Sequence, residues 1–218
     1  MRNFLGLAIV AVALTWAPVA EAKKEKAAAS SAQTLEIKET GIASIDETFA
    51  KAKAPVDSII KARTEVENLQ KNLVTALGLT EGTPFADALT DLKTKAGGTV
   101  SAAIDAKGMP SIKAGDAVPA NVQAAIDAIN AGFTAVGDAV AALAELPAQF
   151  QAIAADAQKY GDPATLKTLA ADNPAAMIKA PKAIADNIGT LTKAPEEIKA
   201  LGVALDGLRK SVAATFAQ

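Results

Sequence analysis

Hydrophobic residues recur at intervals of three and four along positions 122–150 of this chain. An α-helix completes one turn every 3.6 residues, so this spacing places all of them on a single helical face. The same spacing is typical of the contact line in helical bundles and coiled coils. The pattern therefore predicts a long amphipathic helix that packs against other helices. Its apolar residues are Val122, Ile126, Ile129, Phe133, Val136, Val140, Leu143 and Phe150.

Two further stripes of this kind flank the central one. Alanine is abundant throughout, and it is both the best helix former and small enough to let helix backbones approach closely. Aromatic residues make up only 4% of the chain, so pockets with rigid aromatic walls are not expected. We predict an all-α fold, an elongated antiparallel helical bundle with proline-kinked, coiled-coil-like helices. The first flanking stripe is Ile42, Ile45, Phe49, Ala52, Val56, Ile59, Val66, Leu69, Leu73 and Leu77, and the last is Ile184, Ile188, Leu191, Ile198, Leu201, Leu205, Leu208 and Val212.

Proline positions indicate where these helices are interrupted, because proline lacks an amide donor and disfavours a helix interior. Pro55 lies inside the first stripe and predicts either a kink or two helices. Pro147 is expected to kink the central helix, which is predicted from about residue 119 to residue 160. A recurring Lys-Ala-Pro indicates either a duplicated unit or simply prolines in first helical turns, and we favour the second. It occurs at 53–55, 179–181 and 193–195.

Capping residues and glycines predict other helix boundaries. Thr83 is expected to be an N-cap, with Pro84 at the first helical position. Asp162 followed by Pro163 predicts another helix start of the same kind. Residues 107–119 have glycine and proline at both ends, so we predict that they form the longest loop.

The predicted central helix carries few charges. A helix with so few charges on any side is typical of an element that other helices surround. Its side opposite the apolar stripe is mostly alanine, glutamine and asparagine. We therefore expect it at the centre of the bundle, surrounded on several sides. Between positions 120 and 158 the charged residues are Asp127, Asp138, Glu145 and Asp156.

The N-terminus has the pattern of a secretory signal peptide over residues 1–22. Arg2 gives a positive start, an uncharged apolar stretch follows, and residues 20–22 (Ala-Glu-Ala) supply small residues for a cleavage site. An uncleaved membrane anchor is the alternative. The uncharged stretch at 4–20 approaches the roughly 17–25 apolar residues that span a bilayer.

The rest of the chain is predicted to be a disordered tail, residues 23–34, and one helical-bundle domain, residues 35–218. The chain has no cysteine, which excludes disulfides and a cysteine-linked lipid anchor. No asparagine begins an Asn-x-Ser/Thr acceptor for N-glycosylation. For an exported chain these absences favour a periplasmic location, with an extracellular one as the alternative.

The side chains on which most enzymes depend are missing. The chain has no histidine and no cysteine, which removes the commonest general base and the usual zinc ligands. Asp87 and Asp91 lie one helical turn apart, but exposed acids at this spacing are usually solvated. Residues 202–211 depart from a phosphate-binding loop, because two residues separate Gly207 from Lys210. We predict a non-enzymatic protein with no catalytic, metal or cofactor site, and its binding residues stay undefined.

These absences favour a role that depends on surfaces. A net charge of −2 argues against the concentrated basic surface that nucleic acid requires. The leading hypothesis is a structural, scaffolding or adaptor role in the cell envelope, through a protein partner or self-association along the helical stripes. The alternative is a carrier that binds lipid or a small apolar ligand with its amphipathic helices. Contact with a membrane surface, or insertion of the weakly charged central helix, is a third hypothesis.

Overall fold

The computed structural model describes residues 35–105, 108–115 and 118–216. These residues belong to one compact unit that begins at Leu35. The structure is 73% helical with two short strands, which confirms the prediction of a mostly helical fold. The predicted signal peptide and tail, residues 1–34, lie outside the described residues.

Each predicted apolar stripe is helical, and most of its residues lie in one shared hydrophobic core. The core forms because each helix has a wide apolar face that must be covered to leave water. Two short 3₁₀ turns, Lys159–Gly161 and Pro174–Ile178, flank the shortest helix. In chain order the elements are α1 (Ala43–Ala50), α2 (Lys53–Ala76), α3 (Phe85–Lys95), β1 (Val100–Ile104), β2 (Pro110–Ala114), α4 (Ala120–Ala141), α5 (Leu146–Gln158), α6 (Pro163–Leu169) and α7 (Ala180–Phe216).

The first stripe forms two helices, which are separated at Lys51 and Ala52. Pro55 is the third residue of α2, and amides in a first helical turn have no carbonyl partner within the helix, so its missing donor costs little. The sequence left a kink or two helices open, and the structure has two. Gly78 follows α2 with a φ of 67°, a left-handed conformation that glycine adopts without a steric penalty.

One of the two predicted caps is confirmed and the other is wrong. The Asp162 carboxylate accepts hydrogen bonds from the amide and hydroxyl of Thr165, and these bonds lower the pKa of Asp162. By contrast, α3 begins at Phe85, one residue later than predicted. The Thr83 hydroxyl donates to a carbonyl in the preceding turn and caps no helix amide. A local backbone acceptor competes with the helix for such hydroxyls.

A β-hairpin replaces part of the predicted loop at 107–119, so the loop prediction is wrong there, within a fold that is mostly helical. Strands β1 and β2 are antiparallel, with Val100 opposite Ala114 and Ile104 opposite Pro110. Their serines and alanines give little strand signal in the sequence. The hairpin instead depends on tertiary contacts, because β2 packs against α4.

The predicted central helix is also two helices, since a turn at Ala142–Glu145 separates α4 from α5. Pro147 is the second residue of α5, a position that tolerates proline. Helix α4 packs closely against α2 at Gly132. A Cβ atom added there would lie 2.5 Å from Cδ1 of Leu69, so the absence of a side chain lets the two helices approach.

Helix α7 is the longest element, with 37 residues and a length of about 55 Å at 1.5 Å per residue. Pro181 is its second residue, whereas Pro195 lies in its interior. The Lys-Ala-Pro sequences at 53–55 and 179–181 therefore lie at helix starts, with proline in the first turn. The one at 193–195 lies inside α7. Residues 202–211 lie entirely within α7 and form no phosphate-binding loop.

Candidate interaction surfaces

The exposed side of α4 and α5 is unusually poor in charge, and we call it the outer face. On α4, the outer face lies on the side of the helix opposite Val122, Ile129 and Val136, which are buried in the core. Most of its side chains are alanine methyls, which end close to the backbone. The exposed residues that define it are Ala124, Asp127, Ala131, Thr134, Asp138, Ala141, Ala148, Ala152 and Ala155.

Helix α4 packs against α2, α3, β2 and α7, so several of its sides are covered as expected, but the outer face is not. Ala124, Ala131 and Ala141 are all exposed, so one side of α4 faces solvent. Low charge had suggested enclosure, but alanine stabilises a helix through its backbone preference and does not need to be buried. A charge-poor helix can therefore lie at the surface when its outer residues are small.

One stretch in the described part of the chain, Ala120–Gly161, which includes α4 and α5, is apolar and long enough to cross a membrane by length and composition. Little of its most apolar part is buried within the protein. The apolar character thus belongs partly to the exposed outer face. Such a stretch is weak evidence for a span, because core helices of other proteins pass the same test.

The charges on the outer face are all acidic. Asp127 and Asp138 are eleven residues apart, so they lie on one side of α4, three turns and about 16 Å from each other. No lysine or arginine occurs in the sequence between Lys113 and Lys159. The outer face therefore combines apolar methyl groups with widely spaced negative charges.

A second surface is formed where an extended segment lies across α7. We call residues 35–40 the strap. The Asn187 side chain accepts a hydrogen bond from the Lys38 amide at 2.7 Å and donates one to the Lys38 carbonyl at 2.8 Å. The Thr190 hydroxyl donates to the carbonyl of Glu36 at 3.1 Å. The strap therefore pairs its main chain with side chains of a helix.

Burial and charge add to the contacts of the strap. Leu35 is only 4% exposed and joins the hydrophobic core. The Lys38 ammonium lies 2.8 Å from the Asp186 carboxylate, and this contact raises the pKa of Lys38. Lys38 and Lys182 together lower the pKa of Asp186. Both shifts favour the charged forms that attract each other.

A similar asparagine contact holds the hairpin on α4. The Asn130 side chain accepts from the Ile112 amide and donates to the Ile112 carbonyl, each at 2.8 Å. We call the Asn130–Ile112 and Asn187–Lys38 pairs the two asparagine clamps. The sequence predictions include neither clamp. The available signal was the position of each asparagine inside an apolar helical stripe, because asparagine is a poor helix former.

The two acids considered from the sequence, Asp87 and Asp91, differ in their surroundings. An Asp91 carboxylate oxygen lies 2.9 Å from the ammonium of Lys95, so that carboxylate has an ion-pair partner. Asp87 lies on the exposed side of the same helix. Across residues 35–105, 108–115 and 118–216, no three acidic side chains are grouped so that they could hold a metal ion.

Comparison of the chain with protein-family models, with curated proteins and with solved structures gives no match.

Proposed function

We propose that this protein is an exported, non-enzymatic protein of the periplasm with a structural, scaffolding or adaptor role in the cell envelope. We further propose that its helices form an elongated antiparallel bundle. The pairing of α2 with α4 and of α5 with α7 supports this arrangement. The export signal predicted at residues 1–22 supports the location.

The outer face is the observation on which the adaptor role rests. An exposed surface rich in apolar groups and poor in charge is a common feature of protein contact sites. Alanine side chains also allow a partner helix to approach closely, so a partner could pack there without displacing long side chains. The exposed acid Asp127 favours a partner that carries a basic residue at the matching position.

The apolar stripes that the sequence offered for a partner lie in the core of the chain. Ile129 and Phe133 are buried against other elements, so a partner could reach them only if those elements separated. The proposal therefore assigns partner contact to the outer face. Self-association through the exposed surfaces of this chain stays within the same proposal.

Site-specific photo-crosslinking tests the adaptor role. A photoreactive residue replaces Ala131 on the outer face, and the matched control replaces Ala214, which is exposed on α7. The proposal predicts a defined envelope partner from position 131 and none from position 214. The variant Ala131→Arg should weaken that capture by tenfold or more, or about 1.4 kcal/mol, because it places a long side chain with the partner's own sign of charge in the contact. Equal capture at both positions, or none in the intact envelope, would contradict the proposal.

A carrier of lipid or another small apolar ligand is the second candidate. The observation that favours it is the apolar stretch Ala120–Gly161, of which little is buried in the chain itself. Native mass spectrometry of the protein, purified gently from the exported fraction, separates the two candidates. Extra mass that matches a lipid supports the carrier, whereas a clean protein mass supports the adaptor.

A further inference from the structure

The strap occupies α7 in the way that a bound peptide occupies a receptor. We infer that the groove on α7 around Asn187 and Thr190 is a binding site for an extended polypeptide, and that its second occupant is the strap of another copy of this chain. This inference gives the proposed self-association a surface, and it rests on the proposed function only for the choice of partner.

The hydrogen bonds in the groove recognise the main chain. Asn187 satisfies both the amide and the carbonyl of Lys38, as a neighbouring β-strand would. Thr190 satisfies the carbonyl of Glu36 in the same way. Main-chain groups are identical in every copy of the chain, so these contacts can form with a strap from either source.

The groove is more stable filled than empty. Asn187 is completely buried, and both of its hydrogen-bond partners belong to the strap. Loss of the strap would also expose the apolar site that Leu35 fills. An opened molecule would therefore rebind a strap, and a second copy carries a leucine and a lysine at the required positions.

The strap connects to the rest of the described chain at one end, through Gly41. Gly41 has a φ of 79°, and glycine can change this angle at little steric cost, so it is suited to act as a hinge. Asp46 holds the hinge region to its own copy, because its carboxylate accepts hydrogen bonds from the amides of Thr40 and Gly41 and from the Thr40 hydroxyl. The Gly41 carbonyl also accepts a hydrogen bond from the Asn173 side chain at 3.1 Å, so release of the Asp46 and Asn173 contacts would free the hinge end of the strap.

Mass action determines which copy fills the groove. A tethered segment competes at an effective concentration in about the millimolar range. Exchange between copies should therefore increase with protein concentration, and also when the Asp46 contacts are removed. Reciprocal exchange of an identical segment produces a closed, symmetric dimer.

Cysteine cross-linking of the full chain tests the exchange, because the natural sequence has no cysteine. One preparation carries Lys38→Cys in the strap, and a second, differently tagged preparation carries Asp186→Cys in the groove. The two are mixed at high concentration and treated with a short bis-maleimide. Strap exchange predicts a cross-linked product that contains both tags and increases with protein concentration. Asp46→Ala in the strap-bearing copy should increase this product several-fold.

Three controls make the result interpretable. The double variant Lys38→Cys/Asp186→Cys should cross-link within one chain, which shows that the geometry allows the reaction. Lys210→Cys, on an exposed residue near the other end of α7, replaces Asp186→Cys and measures random collisions. Asn187→Ala, added to the groove-bearing copy, should reduce the mixed product several-fold.

The inference is overturned if the double variant cross-links efficiently while the mixed single variants give no more product than the Lys210→Cys control. That result would leave the adaptor proposal intact, because photo-crosslinking from Ala131 tests a different surface. Conversely, failure of the Ala131 experiment would remove the adaptor proposal without affecting strap exchange in the purified protein.

Discussion

The two asparagine clamps make nearly the same hydrogen bonds, but the segments that they hold differ in strand pairing and in burial. Asn130 binds Ile112 at 2.8 and 2.8 Å, and Asn187 binds Lys38 at 2.7 and 2.8 Å. Ile112 lies in a strand that pairs with β1, and it is almost completely buried. Lys38 is exposed and lies in the strap, outside any strand.

The difference shows that the surroundings of a clamp decide how firmly it holds. Opening the hairpin clamp requires loss of strand pairing and of buried apolar contacts. Opening the strap clamp requires loss of the buried contacts of Leu35 and of a few hydrogen bonds to side chains. Because elements with fewer buried contacts open at lower free energy, we expect the strap to detach while the hairpin stays in place.

The largest expected effect follows removal of the hairpin clamp. Asn130→Ala leaves the amide and carbonyl of the buried Ile112 without these partners, and each buried unsatisfied group costs about 1–3 kcal/mol. We expect the free energy of unfolding to decrease by about 3 kcal/mol in urea denaturation. Asn130→Asp keeps an acceptor for the Ile112 amide but places a carboxylate oxygen against the Ile112 carbonyl, so it should not restore the lost stability. A loss below about 1 kcal/mol in Asn130→Ala would show that the clamp contributes little to the fold.

The next effect concerns the apolar contact of the strap. Leu35→Ala removes most of a buried side chain, a change that costs at least about 2 kcal/mol in a core. The loss should appear as detachment of the strap, with faster trypsin cleavage after Lys38 and unchanged cleavage after Lys113 in β2. Ile37→Ala, at a half-buried residue, is the matched control and should have a smaller effect. Equal acceleration at Lys38 and Lys113 would indicate that strap and hairpin open together.

A smaller effect is expected from Asn187→Ala. Lys38 is an exposed residue of a segment outside any strand, so its main-chain groups can reach water once the strap detaches, and we expect a decrease in stability of about 1 kcal/mol. The ratio of this value to that of Asn130→Ala measures the difference between the clamps directly. Urea denaturation of both variants gives the comparison, and a larger loss for Asn187→Ala would reverse our ranking.

The smallest effect is a dependence of strap attachment on pH. The pKa of Asp186 is lowered in the folded protein, so its contribution is present above the ordinary aspartate pKa and is lost as the pH falls through the lowered value. The pKa of Lys38 is raised, so its contribution is lost only as the pH rises through that raised value. Strap protection, corrected for intrinsic exchange, should therefore decrease in acid but be constant around neutral pH.

The hairpin clamp is the internal control for this experiment, because Asn130 and the Ile112 main chain do not titrate. Asp186→Asn should reduce the acid dependence of strap protection and leave the hairpin unchanged. If the wild-type strap keeps full protection in acid, the ion pair does not contribute to its attachment.

The sequence was sufficient to predict the helices but not the two extended segments. Spacing identified the stripes around Phe133 and Leu205, because burial of an apolar face requires that spacing. The hairpin and strap depend instead on Asn130 and Asn187. Asn130 contacts Ile112 outside its own helix, and Asn187 contacts Lys38, which is distant in sequence. Local composition cannot reveal such contacts.

The exposure of the outer face could not be predicted for a different reason. Alanine is compatible with both a buried and an exposed helix surface, so the pattern around Ala131 did not distinguish them. The packing of α2, β2 and α7 around α4 determines which side is covered. That packing depends on contacts such as Gly132 with Leu69, which no single segment contains.

Site-resolved hydrogen exchange of the Lys38 and Ile112 amides in the intact protein tests most directly whether the clamps differ. Both amides donate to an asparagine side chain, so their local chemistry is matched. Our account predicts that Lys38 exchanges through local opening, at least about a hundredfold less protected than Ile112, and that low denaturant leaves its rate unchanged. Equal protection of the two amides, with the same dependence on denaturant, would contradict the account.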